Sequence, residues 1–484
     1  MKFNKIFNEK RIFFLCLVLC IIILLLPHTI RYFENNDTII GKMSYYHLRL
    51  SRDILQNKKI PINDRLSFNG RTYIFDPYHL VLASFGYIIG IKSSSLFLPF
   101  LLGIFSFILS YLLLGKLHVS IKKRLFILLI LLLSPIFIYT YTVLNSYSFA
   151  IFLLLLGFYL FIQKNKGLSL ISLLIFFFAS LFGLENIFIA IIFMLTYSLF
   201  HKEKLRTFYI ISIILVLFSS YYFGMFYYKN GFDIPHRNDI SHIIRQFLSD
   251  LGSFTGFSIF TILLALIGLV ILWKNKIKLI FVYMLLLILF ILSFYSVYYN
   301  LYLNFVISIF AGIGFVALVN MKWSLKSIKN LTILVLLCGL FFTATSYILR
   351  LSIADPNPAT SEALIWLKEH SSENEIVFSH YSRGFWIEYF AERPVFTDEL
   401  FSYATDLDKR LNISDSIFYS RNLRDTDRLL KTFNISYIFI DEEMRDGLVW
   451  KKEKQGLLFL LRNNETFKNV YTNSGIEIWQ YLVK

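Results

Sequence analysis

The chain has 484 residues, of which 56% are hydrophobic and 18% aromatic, and a formal net charge of +16. That much apolar side chain exceeds what one soluble core can bury, which excludes a soluble globular protein and leaves a membrane protein. The charge is no nucleic-acid footprint. Residues 355–484 hold 16 Lys and Arg against 21 Asp and Glu, and the first 354 hold 32 against 11, so the excess lies beside the apolar runs, where basic residues flank membrane spans on the cytoplasmic side.

Apolar runs near the ~20 residues needed to cross a bilayer fall at 12–27, 96–114, 125–141, 147–162, 168–182, 187–200, 207–228, 254–273, 277–297, 300–320 and 331–349. The first follows Lys2, Lys5, Lys10 and Arg11 as in a signal peptide. Leu25-Leu26-Pro27-His28 offers no small-residue cleavage pattern, so it reads as a retained anchor. Eleven spans place the termini on opposite sides. Alternate loops carry Lys116/Lys122/Lys123/Arg124, Lys164/Lys166, Lys202/Lys204/Arg206, Lys274/Lys276/Lys278 and Lys322/Lys326/Lys329, while the short loops between them, around Leu144 to Ser146, Gly183 to Asn186 and Tyr298 to Tyr299, have no Lys or Arg. The positive-inside rule then predicts a cytoplasmic N-terminus in the cell membrane and an extracytoplasmic C-terminal segment. Cys16, Cys20 and Cys338 all lie in apolar runs, so neither a disulfide framework nor a paired-cysteine zinc site is expected. No internal repeat is evident, which weighs against transporters built on duplicated halves.

Three outer segments are long enough to build chemistry: 28–95, 229–253 and 351–484. In the first, a helix from Met43 would put Met43, Tyr46, His47, Leu50 and Ile54 on one side and Tyr45, Arg49, Arg52 and Gln56 on the other, an interfacial helix. Its arginines either rest on lipid headgroups or, at Arg49 and Arg52, hold the phosphate of a lipid carrier in bidentate fashion. Asp37, Glu34, Asp64 and Asp76 are the loop acids, and Asp76-Pro77 reads equally as a turn signal and as a functional acid. His47 and His79 suit acid–base or ligand roles, though no established metal-ligand spacing is present and a divalent cation stays an open possibility. In 229–253, Asp239, His242 and Arg245 recur at helical spacing near Asp233, His236, Arg237 and Asp250. Glu185 is the acid of the short outer loops and, so close to a membrane, a substrate-binding candidate.

After Arg350 the charge rises and long apolar runs end. Asn357 is placed to cap a helix with Pro358 at its first position, running to about His370. Strand-like runs at 375–379, 436–441, 467–471 and 476–483 with helical stretches between them predict a small α/β domain over 351–484, beyond a membrane domain over 1–350.

Tyr45-Tyr46-His47-Leu48-Arg49, followed by Asp76-Pro77-Tyr78-His79 and then a wall of spans, resembles the first outer loop of GT-C glycosyltransferases. These polytopic enzymes take sugar from a lipid-phosphate carrier; among them are protein O-mannosyltransferases, aminoarabinose transferases and the catalytic subunit of oligosaccharyltransferase. Pro61, Asn69-Gly70-Arg71-Thr72-Tyr73 and Pro77-Tyr78-His79 resemble a further succession in that loop. The resemblance implies a GT-C-like fold of about eleven spans and transfer of sugar from a polyprenyl- or dolichyl-phosphate donor to a lipid, glycan or protein acceptor on the outer face. It implies substrate contacts at Tyr45, Tyr46 and His79, and donor phosphate held by Arg237 and Arg245 with Arg49 and Arg52. The family's catalytic carboxylate falls where this chain has Met43, and a thioether neither accepts a proton nor suits a hard cation. Asp37 becomes the first choice of base, with His47 and Asp76 as further catalytic candidates. Around Ser379 to Ile387, Gly384, an aromatic run and Arg393-Pro394-Val395 resemble the flanks of the WWDYG motif, but His380-Tyr381-Ser382-Arg383 replaces WWDY, which argues against protein N-glycosylation. The alternatives are a non-catalytic homologue that binds lipid-linked sugar, and a lipid or sugar transporter. Ionisable groups crowded into loops, not buried in spans, weigh against the last.

Overall fold

The structure, a computed structural model, describes residues 9–230, 245–277, 279–296, 298–400, 403, 407–452 and 455–482. Helix α1 (Glu9–Phe33) is followed by α2 (Lys42–Asn57), a two-strand hairpin β1 (Asn63–Asp64) and β2 (Arg71–Thr72), and α3 (Pro77–Ile89). The bundle continues through α4 (Ile91–Lys116), α5 (Ile121–Leu132), α6 (Pro135–Thr142), α7 (Ser146–Ile162), α8 (Lys166–Ser180), α9 (Leu184–Phe200) and α10 (Leu205–Asn230). Among the described residues it closes with α11 (Ile259–Leu272), α12 (Ile280–Leu292), α13 (Tyr299–Asn320) and α14 (Lys326–Ser352).

Among the described residues, five helices are long and apolar enough to cross a membrane, or six if the α5–α6 pair, bent by 63°, is one span. The bend lies at Ser134-Pro135, because proline lacks an N–H and disfavours helical geometry at the residue before it. Helices α3, α7, α8, α9, α11 and α12 are apolar but shorter. The run expected from 254 becomes helical only at Ile259, since Phe257 first hydrogen-bonds back to Phe247 and Ser249. The 28–95 segment, read as an outer stretch with an interfacial helix, also contains the apolar α3. Its N-cap is the Asp76 carboxylate, which accepts from the Tyr78 N–H at 2.8 Å, with Pro77 at the first position. In the bundle centre α11 and α13 meet backbone to backbone: a Cβ on Gly314 would lie 2.2 Å from the Leu264 carbonyl oxygen.

Residues 358–482 form the predicted α/β pattern. Asn357 caps α15 (Pro358–Glu369) through the Thr360 N–H at 2.8 Å. A four-stranded sheet has the order β3 (Ile376–Phe378), β4 (Ile435–Ile440), β6 (Ile476–Tyr481), β5 (Phe467–Asn473), with β3–β4 parallel and the other pairs antiparallel. Alternation along β4 divides its side chains between two cores. Tyr437 and Phe439 join the cluster that runs through Trp386 and α2 into the bundle, and Ile438 and Ile440 join a second one with Phe378, Phe396 and Trp450.

The two parts are tied by a buried arginine. Arg31, near the end of α1, donates to the carbonyls of Asp37, Ser352, Ala354 and Pro356, so one guanidinium satisfies groups at the end of α14 and fixes the first loop against the chain entering α15.

Candidate functional site

Helix α2 is where all the parts meet. Gly41, at φ 87°, lets its N-terminus press against the α6–α7 turn, where a Cβ would come within 2.9 Å of Val143. The Ser44 hydroxyl accepts from the Leu144 N–H at 3.1 Å, and Asn145 in the same turn caps α7 through the Ser148 N–H. The expected amphipathic helix lying in lipid headgroups is therefore not observed. Both faces are covered: Tyr45 packs edge-on against Tyr389, and Tyr46 against Phe385 and His79. As buried packing groups, Tyr45 and Tyr46 do not present open surface to a substrate.

Arg49 likewise faces inward. It is 2% exposed, its two terminal nitrogens donate to Asp64 at 2.7 and 2.6 Å, and one also reaches Glu388 at 2.9 Å. Arg71 extends the chain of pairs to Asp64 at 3.1 Å and to Asp398 at 2.7 Å. The hairpin makes this possible, since Asp64 is the register partner of Arg71 across a turn with Asn69 and Gly70 at positive φ. Arg49 is thus a buried tie between the first loop and residues 384–398, and its guanidinium is turned away from any lipid phosphate. Burial alone would raise Asp64, but the charge and hydrogen bonds of Arg49, then the charge of Arg71, hold it at about 2. Burial raises Glu388 well above the usual carboxylate range, against the pull of Arg49 and with the push of Asp398 and Asp64. Two arginines, Arg49 and Arg71, thus meet three carboxyl groups, those of Asp64, Glu388 and Asp398.

One turn along from Met43, His47 and His79 face one another, with Nδ1 of His47 2.9 Å from Nε2 of His79. The other nitrogen of His79 meets the Tyr73 hydroxyl at 2.6 Å, and an Asp76 oxygen lies 4.0 Å from Nδ1 of His47. Burial pushes His47 down to about 3 and His79 well below its ordinary value, His79 with added repulsion from His47 and Arg49. Burial pushes Asp76 up to about 6 despite the Tyr78 N–H and the Ser146 hydroxyl. His79, expected to contact substrate, is fully enclosed.

The remaining candidates are scattered. Asp37 pairs with Lys92 at 3.3 Å, and its carbonyl is held by Arg31. Arg52 pairs with Glu392 at 3.2 Å and lies over the Tyr389 ring. Glu185 borders a cavity of about 90 Å³ with Tyr147, Ser296, Tyr298, Tyr299 and Tyr302. Arg245 is exposed, and Arg237 lies outside the described residues. Met43 packs half-buried on the core.

A residue that sequence reasoning missed stands beside it. Glu399 reaches Lys42 at 3.5 Å, while Lys42 lies over the Trp386 ring. Glu399 has Tyr139, Tyr298 and Tyr381 within electrostatic reach. Burial raises its carboxyl, opposed by Lys42. The segment bearing it is fixed by Gly384, where a Cβ would lie 2.6 Å from the Asp398 Cβ, and by Arg383, which pairs with Asp441 and Glu443. Glu399 lies four residues beyond Arg393-Pro394-Val395 and next to Asp398, and nothing local in the sequence distinguishes it from a solvated acid.

No family model matches the sequence, and no curated protein matches it significantly. Solved structures do match over nearly the whole chain. The oligosaccharyltransferase of Archaeoglobus fulgidus in its apo form is 12% identical, with 92% of this chain and 71% of that one covered at a TM-score of 0.64. The same enzyme, AglB, solved with an inhibitory peptide and a dolichol-phosphate, is 13% identical over 100% of this chain and 75% of that one, TM-score 0.59. ArnT from Cupriavidus metallidurans bound to undecaprenyl phosphate is 11% identical over 97% of both chains, TM-score 0.55. At these identities the likeness is one of fold, and the fold is that of the GT-C membrane glycosyltransferases.

Proposed function

We propose that this chain is an integral membrane glycosyltransferase that moves a sugar from a polyprenyl- or dolichyl-phosphate carrier to an acceptor on the outer face of the cell membrane. The observation that carries this is end-to-end similarity to transferases solved with dolichol-phosphate and undecaprenyl phosphate, combined with the charged pair of Lys42 and Glu399 at the α2 N-terminus, next to the Ser44 contact with the α6–α7 turn. The orientation follows the loop charges: N-terminus cytoplasmic, residues 351–484 outside as an α/β domain, and the shorter apolar helices α7, α8, α9, α11 and α12 completing the spans. Among the basic groups, Arg52, Arg245 and Arg237 are the ones left to hold donor phosphate, and Glu185 and its tyrosines form a substrate-side pocket.

Transfer proceeds by single displacement at the anomeric carbon, with inversion. A carboxylate takes the acceptor's proton while cations stabilise the leaving lipid phosphate. Met43 supplies no proton acceptor, so the work falls to Asp37 from the first loop or Glu399 from the far side of Lys42. The loss at position 43 favours a second reading, a homologue that binds lipid-linked sugar without turning it over.

The test is sugar release from polyprenyl-phosphate and polyprenyl-pyrophosphate donors by the purified chain in lipid. Turnover by the native chain that Asp37→Asn or Glu399→Gln removes supports the transferase reading and names the base. Donor binding without turnover, with activity gained in Met43→Asp, supports the binding homologue. Absence of both donor binding and turnover in every variant sinks both.

A further inference from the structure

We propose that His47, His79 and Asp76 form a binding site for a divalent transition-metal ion of the Zn2+ class. Two imidazole nitrogens, Nδ1 of His47 and Nε2 of His79, point at each other across 2.9 Å inside the protein. An Asp76 oxygen completes the set, and the three ligand atoms all lie within 4.8 Å of one another. Ligand atoms around a tetrahedral zinc ion are ~3.3 Å apart, given metal–nitrogen bonds of ~2.0–2.1 Å. A modest spreading of the two rings and a swing of the Asp76 carboxylate therefore bring all three into range.

Three further features fit a metal ligand set better than a simple hydrogen-bonded pair. The Tyr73 hydroxyl sits 2.6 Å from Nδ1 of His79; accepting the Nδ1 proton, it leaves Nε2 free to bind metal, the usual outer partner of a ligating histidine. Access exists on one side, because the histidine rings are almost wholly enclosed while the Asp76 side chain is 23% exposed. Rigid elements also hold each ligand: His47 lies within α2, His79 in the first turn of α3, and Asp76 is its N-cap. Two imidazoles and one carboxylate select a borderline ion over Mg2+ or Ca2+, and three protein ligands leave one position for an oxygen donor. This inference is independent of the transferase reading, since binding is measured without donor or acceptor.

The full chain, purified through a tag without histidines, is stripped with chelator and titrated with Zn2+ and Co2+. The expected result is one ion per chain, with a Co2+ visible band of the intensity typical of four- or five-coordinate sites. His47→Gln and His79→Gln should abolish that band. Asp76→Asn keeps the cap acceptor of α3 and should weaken binding at least about tenfold. Tyr73→Phe touches no metal and should weaken it ~10–100-fold, which keeps the test decisive if a histidine variant fails to fold. Failure of the native chain to bind Co2+ or Zn2+ stoichiometrically overturns the site, as does native-like binding in Asp76→Asn and Tyr73→Phe.

Discussion

Asp64→Asn should separate residues 384–398 from the first loop more effectively than any larger truncation on the surface. The carboxylate accepts two hydrogen bonds from Arg49, one from Arg71 and one from the Leu66 N–H. The amide keeps the volume but turns one acceptor into a donor that faces a guanidinium, and it leaves Arg49 with Glu388 alone. Removing one partner of a buried ion pair costs about 3–5 kcal/mol because the other charge stays buried. That corresponds to a rise of roughly 10²- to 5 × 10³-fold in the population in which this contact is open. Hydrogen exchange of amides in α2 and residues 376–398, followed in detergent, reads that population directly. The double variant Arg49→Met with Asp64→Leu should cost less than Asp64→Asn alone, because it removes both members of the Arg49–Asp64 pair together and leaves the Arg71–Asp398 pair in place. Exchange unchanged by Asp64→Asn, or a double variant worse than the single one, would refute this account of α2.

Acid should open the same contact. Asp64 is held near 2 in the fold against an ordinary 3.8, so its contribution is complete above about pH 4 and is lost as pH falls towards 2; protease sensitivity of the 376–398 region across that window reads it. Gly384→Ala puts a methyl 2.6 Å from the Asp398 Cβ and 2.7 Å from its Cα, which should cost about 1–3 kcal/mol and lower the thermal midpoint. Arg31→Met strands the carbonyls of Ser352, Ala354 and Pro356 and should destabilise the chain by several kcal/mol (about 1–3 per group left unsatisfied). Arg31→Lys should not restore the native thermal midpoint, since an ammonium cannot span the same fork. Asn357→Ala removes the α15 cap and should cost roughly 0.5–2 kcal/mol, read in the same melt.

Much of this was legible because the signals are local. Apolar length announced a membrane protein, Asn357-Pro358 announced the start of α15, and the strand-like runs near 376, 435, 467 and 476 each became a strand. What escaped the sequence depends on contacts far apart in the chain. The periodicity of α2 identified a helix, but the partners that bury its arginine face, Asp64, Glu388 and Tyr389, lie up to 339 residues away. Arg49 accordingly read as a phosphate ligand when its environment makes it a tie. The pairing of Asp64 with Arg71 was foreshadowed by Asn69-Gly70, a turn signal that sets the two in register. His47 and His79 were visible as residue types, but 32 positions separate them, and only the packing of α2 on α3 sets their rings together. Ser134-Pro135 bends one of the expected runs, and six apolar helices among the described residues are shorter than the others, which run length in the sequence did not show.

The most direct measurement of the central claim is transfer of labelled sugar from a polyprenyl-phosphate donor into a water-soluble product by the native chain in lipid vesicles, with Met43→Asp alongside. The account predicts sugar release by the native chain, with the opposite anomeric configuration to the donor. Donor neither bound nor consumed by either protein would contradict it.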